Sequence, residues 1–233
     1  MGEATVAPVL EARGVVKVYD TRGVETRALD GVDLAVAEGE FTALAGPSGS
    51  GKTTLLNLYG ALDAPSEGEV LLDGEPLAAL SDAELSALRL HKLGFVFQAY
   101  NLIPVLSARE NVEFVMELQR VPAAERRERA RALLAEVGLA ELGDKRPLEM
   151  SGGQQQRVAV ARAIASRPRV VLADEPTANL DSKTAGRLLE LMEELNAEHR
   201  VTFLFSTHDP LVIGKARRTV RLHDGRVVAD ERR

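Results

Sequence analysis

An apolar stretch, Phe41-Thr-Ala-Leu-Ala45, runs straight into Gly46-Pro-Ser-Gly-Ser-Gly-Lys-Thr53, and Thr54-Leu-Leu-Asn-Leu58 follows at once. The central octet is a full G-x-x-x-x-G-K-[ST] match in the setting that gives the pattern its meaning, a strand before it and a helix after it. Glycines let the backbone wrap an anion with amides pointing inward, and a helix N-terminus adds positive potential. The octet therefore predicts a phosphate cradle made by Gly46, Ser48, Gly49, Ser50, Gly51, Lys52, Thr53 and Thr54. Lys52 supplies a point charge for the β- and γ-phosphates, and Thr53 a hydroxyl for Mg²⁺. The plain alternative is a glycine-rich turn with no ligand; Lys-Thr in register and both flanks weigh against it.

A strand–loop–helix unit of this kind predicts an α/β fold with a largely parallel sheet. Val170-Val-Leu-Ala173 and Thr202-Phe-Leu-Phe-Ser206 have the character of buried strands. Between them Leu188, Leu191, Met192 and Leu195 fall on one face of a helix. Val9–Tyr19 and Val32–Val36 alternate in and out as half-buried strands do. Glu69–Gly74 and Arg221–Val228 each carry Asp-Gly, so Asp73 and Asp224 read as hairpin residues rather than catalytic acids.

The middle of the chain reads as helical. Ser81 with Glu84, and Ser107 with Glu110, fit the capping box. Ala123–Val137 is a charged helix stopped by Gly138. Its run Glu125–Arg131 mixes signs, which favours a solvated face with a Glu125–Arg129 pair over a nucleic-acid patch. The expected fold is α/β: a phosphate-loop NTPase core with a mostly parallel sheet, an antiparallel β subdomain and a helical insert. One domain, 1–233, is expected, with its core at about 1–97 and 168–233 and the insert at about 98–167.

Composition removes several chemistries. The absence of cysteine excludes disulfides, thiolate zinc sites and a cysteine nucleophile. His91, His199, His208 and His223 show no metal-ligand spacing. A net charge of −6 argues against a dedicated nucleic-acid binder. No apolar run approaches the ~18 residues that span a bilayer. Met1–Thr5 lacks the basic and apolar regions of a signal peptide, and Val6 stands where a myristoylation pattern places Ser or Thr. The expectation is a soluble, intracellular chain with no direct membrane insertion, reaching a membrane only through a partner.

Two acids, Asp174 and Glu175, close the run Val170–Ala173 at the carboxyl end of a strand, the edge where open α/β sheets bind ligands. With a phosphate loop upstream, Asp174 is expected to hold Mg²⁺ and Glu175 to orient the attacking water. A second anion site follows from Met150-Ser-Gly-Gly-Gln-Gln-Gln-Arg157. There Ser151 is a hydroxyl donor, Gly152 and Gly153 leave amides open, and a helix from about Gln154 to Ala165 points its N-terminus at them. The plain alternative is a serine helix cap.

This segment resembles the signature sequence of ATP-binding-cassette ATPases, and the resemblance covers essentially the whole chain in order. Met150 replaces the usual Leu, and Ala178 stands where many members have Ser. The resemblance implies ATP and Mg²⁺ as cofactors and a head-to-tail homodimer, with Ser151, Gly152, Gly153 and Gln154 capping the nucleotide on the partner's phosphate loop. It further implies that Gln98, after Leu93–Phe97, reaches Mg²⁺ and the water and couples the site to a permease. His208 contacts the γ-phosphate, the Asn179-Leu-Asp181 turn crosses the dimer with Asp181, and Tyr19 stacks on adenine.

Phe97–Pro104 and Leu172-Ala-Asp-Glu-Pro-Thr-Ala-Asn-Leu-Asp-Ser182 are similar to the lipoprotein-release, macrolide-efflux and cell-division branch. That branch implies an integral-membrane, FtsX-like permease partner and a place at the cytoplasmic face of the inner membrane. The rivals are a solute-importer subunit, a non-transport ATPase of the family and a nucleotide-regulated module without turnover. Coiled-coil repair members need a large insert, whereas only about 120 residues, without heptads, separate the phosphate loop from Asp174. Zinc-module members need cysteine, ribosome-associated members carry two cassettes, and Glu175 with His208 argues for turnover.

Overall fold

The computed structural model describes residues 8–21 and 23–233. The expectations drawn from Met1–Val6 lie outside the described residues. Two sheets form the frame. The first is antiparallel, in the order β2-β1-β4-β5, from β1 (Pro8–Thr21), β2 (Val24–Ala37), β4 (Glu67–Leu72) and β5 (Glu75–Pro76). The second has six strands in the order β10-β9-β3-β8-β7-β6: β3 (Phe41–Ala45), β6 (Leu93–Phe97), β7 (Val170–Asp174), β8 (Thr202–Thr207), β9 (Arg218–His223) and β10 (Arg226–Arg232). All its pairings are parallel except that of the edge strand β10 with β9. The fold is the expected α/β one.

Because strand side chains alternate between faces, the parallel strands feed two separate cores. Val170, Leu172, Leu204, Leu44 and Val220 join one cluster with the antiparallel sheet and α1 (Lys52–Tyr59). Val171, Ala173, Phe203, Phe205 and Phe41 join the other, with α3 (Ala108–Leu118), α4 (Ala123–Glu136), α5 (Gly152–Ala165) and α6 (Ser182–His199). With no tryptophan, three phenylalanines carry much of the second cluster; Phe41 and Phe205 lie 4.6 Å apart between ring centroids, in tilted geometry. At Gly94 an added Cβ would lie 2.4 Å from Ala163 O, so the bare backbone of β6 is what admits α5 against the sheet.

Local chemistry sets the boundaries. Ser81 caps α2 (Asp82–Lys92) and Ser107 caps α3, each with its glutamate returning the bond. Asp73-Gly74 and Asp224-Gly225 have φ of 50° and 77°, and of 46° and 75°, the paired left-handed residues of a tight hairpin. Both aspartates are turn residues. Arg129 bonds Glu125 at 2.6 Å along α4. A short helix, α7 (Pro210–Lys215), follows β8 and is capped by Asp209.

Candidate active site

The loop between β3 and α1 is wedged by steric contact. A Cβ on Gly46 would lie 2.2 Å from Leu222 O in β9, and one on Gly51 2.5 Å from Ala28 O in β2. Gly51 also sits at φ 100°, a conformation that favours glycine. The Lys52 ammonium donates to Gly46 O at 2.7 Å and Pro47 O at 2.8 Å, closing the loop on itself. Burial lowers the Lys52 pKa, and the charges of Glu175 and Asp174 oppose the shift. Pro47, Ser48, Gly49, Gly51, Lys52, Thr53 and Thr54 face a cleft of about 650 Å³. Ser50 is buried behind the loop, so its side chain serves the loop's packing rather than the cleft surface.

Opposite the loop stand the two acids. Asp174 ends β7 and accepts a hydrogen bond from Thr53 Oγ1 at 3.1 Å. Glu175 adopts φ 45°, a left-handed conformation that costs a non-glycine residue about 1 kcal/mol or more. Neighbouring strand residues normally point to opposite faces; this turn is how both acids come to line one cleft.

The Glu175 carboxylate is held at both oxygens. His208 Nδ1 lies 2.7 Å from Oε1, and Thr207 Oγ1 donates to Oε2 at 3.3 Å. An ionised carboxylate only accepts, so toward it Nδ1 is the donor, and Nε2 lies at the free end of an imidazole that is 70% exposed. Gln98, just after β6, enters the same cleft with Tyr19, Ala28 and Ala178. Asn179 Nδ2 donates to Gln98 O at 2.9 Å, tying the loop after β7 to the loop after β6.

Ser151, Gly152, Gly153, Gln154 and Asp181 are not among the described residues that line this cleft. They gather where α5 and α6 begin. Helix α5 starts at Gly152 rather than near Gln154, so both glycines belong to its first turn. Ser151 Oγ accepts from Gln154 N at 3.3 Å, and Gln154 Oε1 accepts from Ser151 N at 2.8 Å. The cap uses the serine oxygen as acceptor and leaves its proton free to donate. Asp181 caps α6 through Lys183 N and Thr184 N at 3.1 and 3.0 Å. A Cβ on Gly153 would meet Thr184 Cγ2 at 2.5 Å.

Residues 29–178 match the family described as ABC transporter. The chain belongs to that family. The cassette is 49% identical over 231 residues to the lipoprotein-releasing system ATP-binding protein LolD of Anaeromyxobacter dehalogenans, covering 99% of the cassette and 97% of that relative. It is 46% identical over 223 residues to the macrolide export ATP-binding/permease protein MacB of Hyphomonas neptunium, covering 96% of the cassette but only 34% of that relative, about a third of its length. A solved dimeric structure of the ATP-binding cassette MJ0796, in a post-hydrolysis state bound to ADP and Pi, superposes with a TM-score of 0.88 at 43% identity, covering 96% of the cassette and 98% of that chain. The cassette sits with the LolD and MacB ATP-binding proteins, the branch expected from Leu172–Ser182, and is the ATPase subunit type of a transporter.

Several contacts of the site carry no motif. Thr207 on Glu175 and Asn179 on Gln98 are reached only through the fold. Lys17 and Asp63, which hold Tyr19 by its ring and its hydroxyl, lie 46 positions apart. The one signal available was Lys17-Val-Tyr19, two residues on one face of a strand.

Proposed function

We infer that the cassette binds Mg-ATP in the cleft and hydrolyses it as a head-to-tail homodimer. The observation that carries this reading is the separation of the two phosphate-binding elements. Pro47–Gly49 and Gly51–Thr54 of the loop, both acids, Gln98 and His208 share one cleft, while Ser151–Gln154 stands outside it. A second copy turned head to tail brings that helix N-terminus to the nucleotide. The dimeric state of MJ0796 with ADP and Pi supports the same arrangement.

Catalysis then rests on positioning and electrostatics. Lys52 leaves its loop carbonyls for the phosphate oxygens, and the loop amides hold the rest of the triphosphate. Glu175 aligns the attacking water and takes up its proton, and His208, with a proton on each ring nitrogen, donates from Nε2 to the γ-phosphate while Nδ1 stays on Glu175. Partner residues Ser151 and Gly153 complete the anion's coordination. The donor set is all oxygen, as Mg²⁺ prefers: Thr53, Asp174 and Gln98 would hold the ion, which supplies charge compensation for the β- and γ-phosphates. Loss of the γ-phosphate removes the bridge between the copies and opens the dimer.

Among the described residues no helix is long and apolar enough to cross a membrane. The partner proposed is an integral-membrane permease of the FtsX-like kind at the cytoplasmic face of the inner membrane; similarity to MacB, an ATP-binding/permease protein, and to LolD, an ATP-binding protein of a lipoprotein-releasing system, supports a permease as partner. The test is steady ATPase activity of the purified chain, together with ATP-dependent dimerisation of Glu175→Gln followed by light scattering. Turnover that survives the substitution, or a mutant that stays monomeric with ATP, would overturn the reading. For the partner, co-purification from detergent-solubilised membranes with a permease bearing a large extracytoplasmic domain is expected. Recovery with a solute-binding-protein system would place the cassette with importers instead.

A further inference from the structure

Tyr19 is the single aromatic among the described residues lining the cleft, and it is unusually constrained for a side chain 37% exposed. Its hydroxyl donates to Asp63 Oδ2 at 2.9 Å. The Lys17 ammonium stands over its ring, 4.8 Å from the centroid. Lys17 in turn bonds Asp63 Oδ1 at 2.7 Å and Ala64 O at 2.8 Å. Asp63 thus grips both strand residues at once, one through each carboxylate oxygen, and Ala64 N adds a third bond to Oδ1 at 2.8 Å.

The arrangement has a clear origin in the chain. Lys17 and Tyr19 are two apart on β1 and share a face of the strand. Asp63 lies in the bend between α1 and β4, and that bend is stitched to β1 by Val18 N on Ser66 Oγ at 3.0 Å and by Ser66 N on Val16 O at 2.8 Å. Lys17 is largely covered, its side chain 12% exposed. It does not line the cleft, whereas Tyr19 does. One face of the ring is therefore occupied by a cation, while the residue itself lines the cleft. Burial raises the Asp63 pKa, but the bonds from Lys17, Tyr19 and Ala64 outweigh it and hold the carboxyl below its ordinary value, so the clamp is charged at neutral pH.

We propose that Lys17 and Asp63 are positioning residues for nucleotide recognition, fixing Tyr19 as a rigid platform for the base. This rests on the reading that the cleft holds ATP. Three physical effects combine in the clamp. The hydroxyl bond fixes the ring's tilt. The Lys17–Asp63 pair stops the strand side chains from swinging, so little ordering is left for the moment of binding. The cation behind the ring draws electron density from it, which favours stacking against an electron-rich purine. Lys17 and Asp63 are not among the described residues lining the cleft that holds the phosphate loop.

That separation supplies the test. Affinity of the full chain for ATP and for tripolyphosphate is measured by calorimetry for the wild type, Asp63→Asn, Lys17→Met and Tyr19→Ala, and for Asp63→Asn combined with Tyr19→Ala. Thermal unfolding of each variant verifies folding. Tyr19→Ala is expected to weaken ATP about tenfold, and Asp63→Asn and Lys17→Met about 3- to 10-fold each, all leaving tripolyphosphate binding in place. In hydrolysis assays KM rises without a matching fall in kcat. In the Tyr19→Ala background Asp63→Asn has little further effect, because the platform it serves is gone. Equal losses for ATP and tripolyphosphate, no loss at all, or fully additive losses in the double variant would overturn the proposal. Wild-type failure to bind ATP would instead sink the assignment of the cleft, and an unchanged Tyr19→Ala would show that the base lies elsewhere.

Discussion

His208 Nδ1 and Glu175 Oε1 stand 2.7 Å apart, so the imidazole and the carboxylate assigned to the γ-phosphate and the water are already joined before nucleotide arrives. Glu175→Gln preserves the size of the side chain but removes the charge that aligns and deprotonates water. Phosphate release should fall roughly 10²–10⁴-fold while ATP affinity holds, as read by a coupled phosphate assay beside calorimetry. A mutant with wild-type turnover would remove Glu175 from the mechanism.

Gly153→Ala is expected to separate binding from turnover. Its new Cβ would lie 2.5 Å from Thr184 Cγ2, so either the Thr184 side chain, which also bonds Asp181 at 2.6 Å, or the first turn of α5 must give way, at about 1–3 kcal/mol for overpacking. The phosphate cleft is untouched. ATP should bind each copy normally, whereas ATP-dependent dimerisation and hydrolysis should both weaken. Sedimentation velocity with and without ATP reads the first, and an unchanged dimer population would contradict the role given to the α5 N-terminus.

Lys52 gives the cleft a defined alkaline limit. Burial lowers its pKa, with Glu175 and Asp174 opposing, so in the nucleotide-free state its charge is lost at a lower pH than an exposed lysine's. ATP association should therefore weaken as pH rises through that lowered value. Calorimetric titration across the alkaline range tests this; affinity that stays flat up to the ordinary lysine pKa would contradict it.

Arg218 anchors the far edge of the parallel sheet. Its side chain, only 7% exposed, bonds Asp230 at 2.8 and 2.7 Å, Glu40 at 2.8 Å and Ala35 O at 2.7 Å. Arg218→Met leaves these acceptors without their donor and should cost about 2–3 kcal/mol, the lower end for a buried pair because Asp230 keeps some solvent. Urea unfolding measures it. The Arg218 bond depresses the Asp230 pKa in the folded state. That contribution is present above the unfolded carboxyl pKa and is lost as pH falls through the folded one, so the mutant's deficit should shrink in acid.

What could be read from the sequence was local. Gly46–Thr53 announced a strand, a loop and a helix because each glycine in that pattern has a steric task, and Ser81, Ser107 and the Asp-Gly pairs announced helix starts and hairpins for the same kind of reason. The sequence predicts the start of α5 at about Gln154, whereas the Ser151–Gln154 capping box draws Gly152 and Gly153 into its first turn. The direction of a single loop side chain was not legible either: Ser50 sits in the motif but turns inward. The order β10-β9-β3-β8-β7-β6 and the Lys17–Asp63 clamp depend on which distant segments meet, and periodicity carries no record of that. Glu175 was legible as an acid at a strand end, whereas its left-handed backbone belongs to the folded turn.

The capping box at Ser151 has a consequence for the energetics of assembly. Its hydroxyl oxygen is held by Gln154 N, and the Gln154 side chain is held by Ser151 N, so the position of the oxygen is already set in the folded chain and only its proton is left to turn. If the α5 N-terminus meets the partner's nucleotide as proposed, a side chain placed in advance leaves less ordering to be done at that moment. Closure of the proposed nucleotide sandwich then asks for little rearrangement of Ser151 itself.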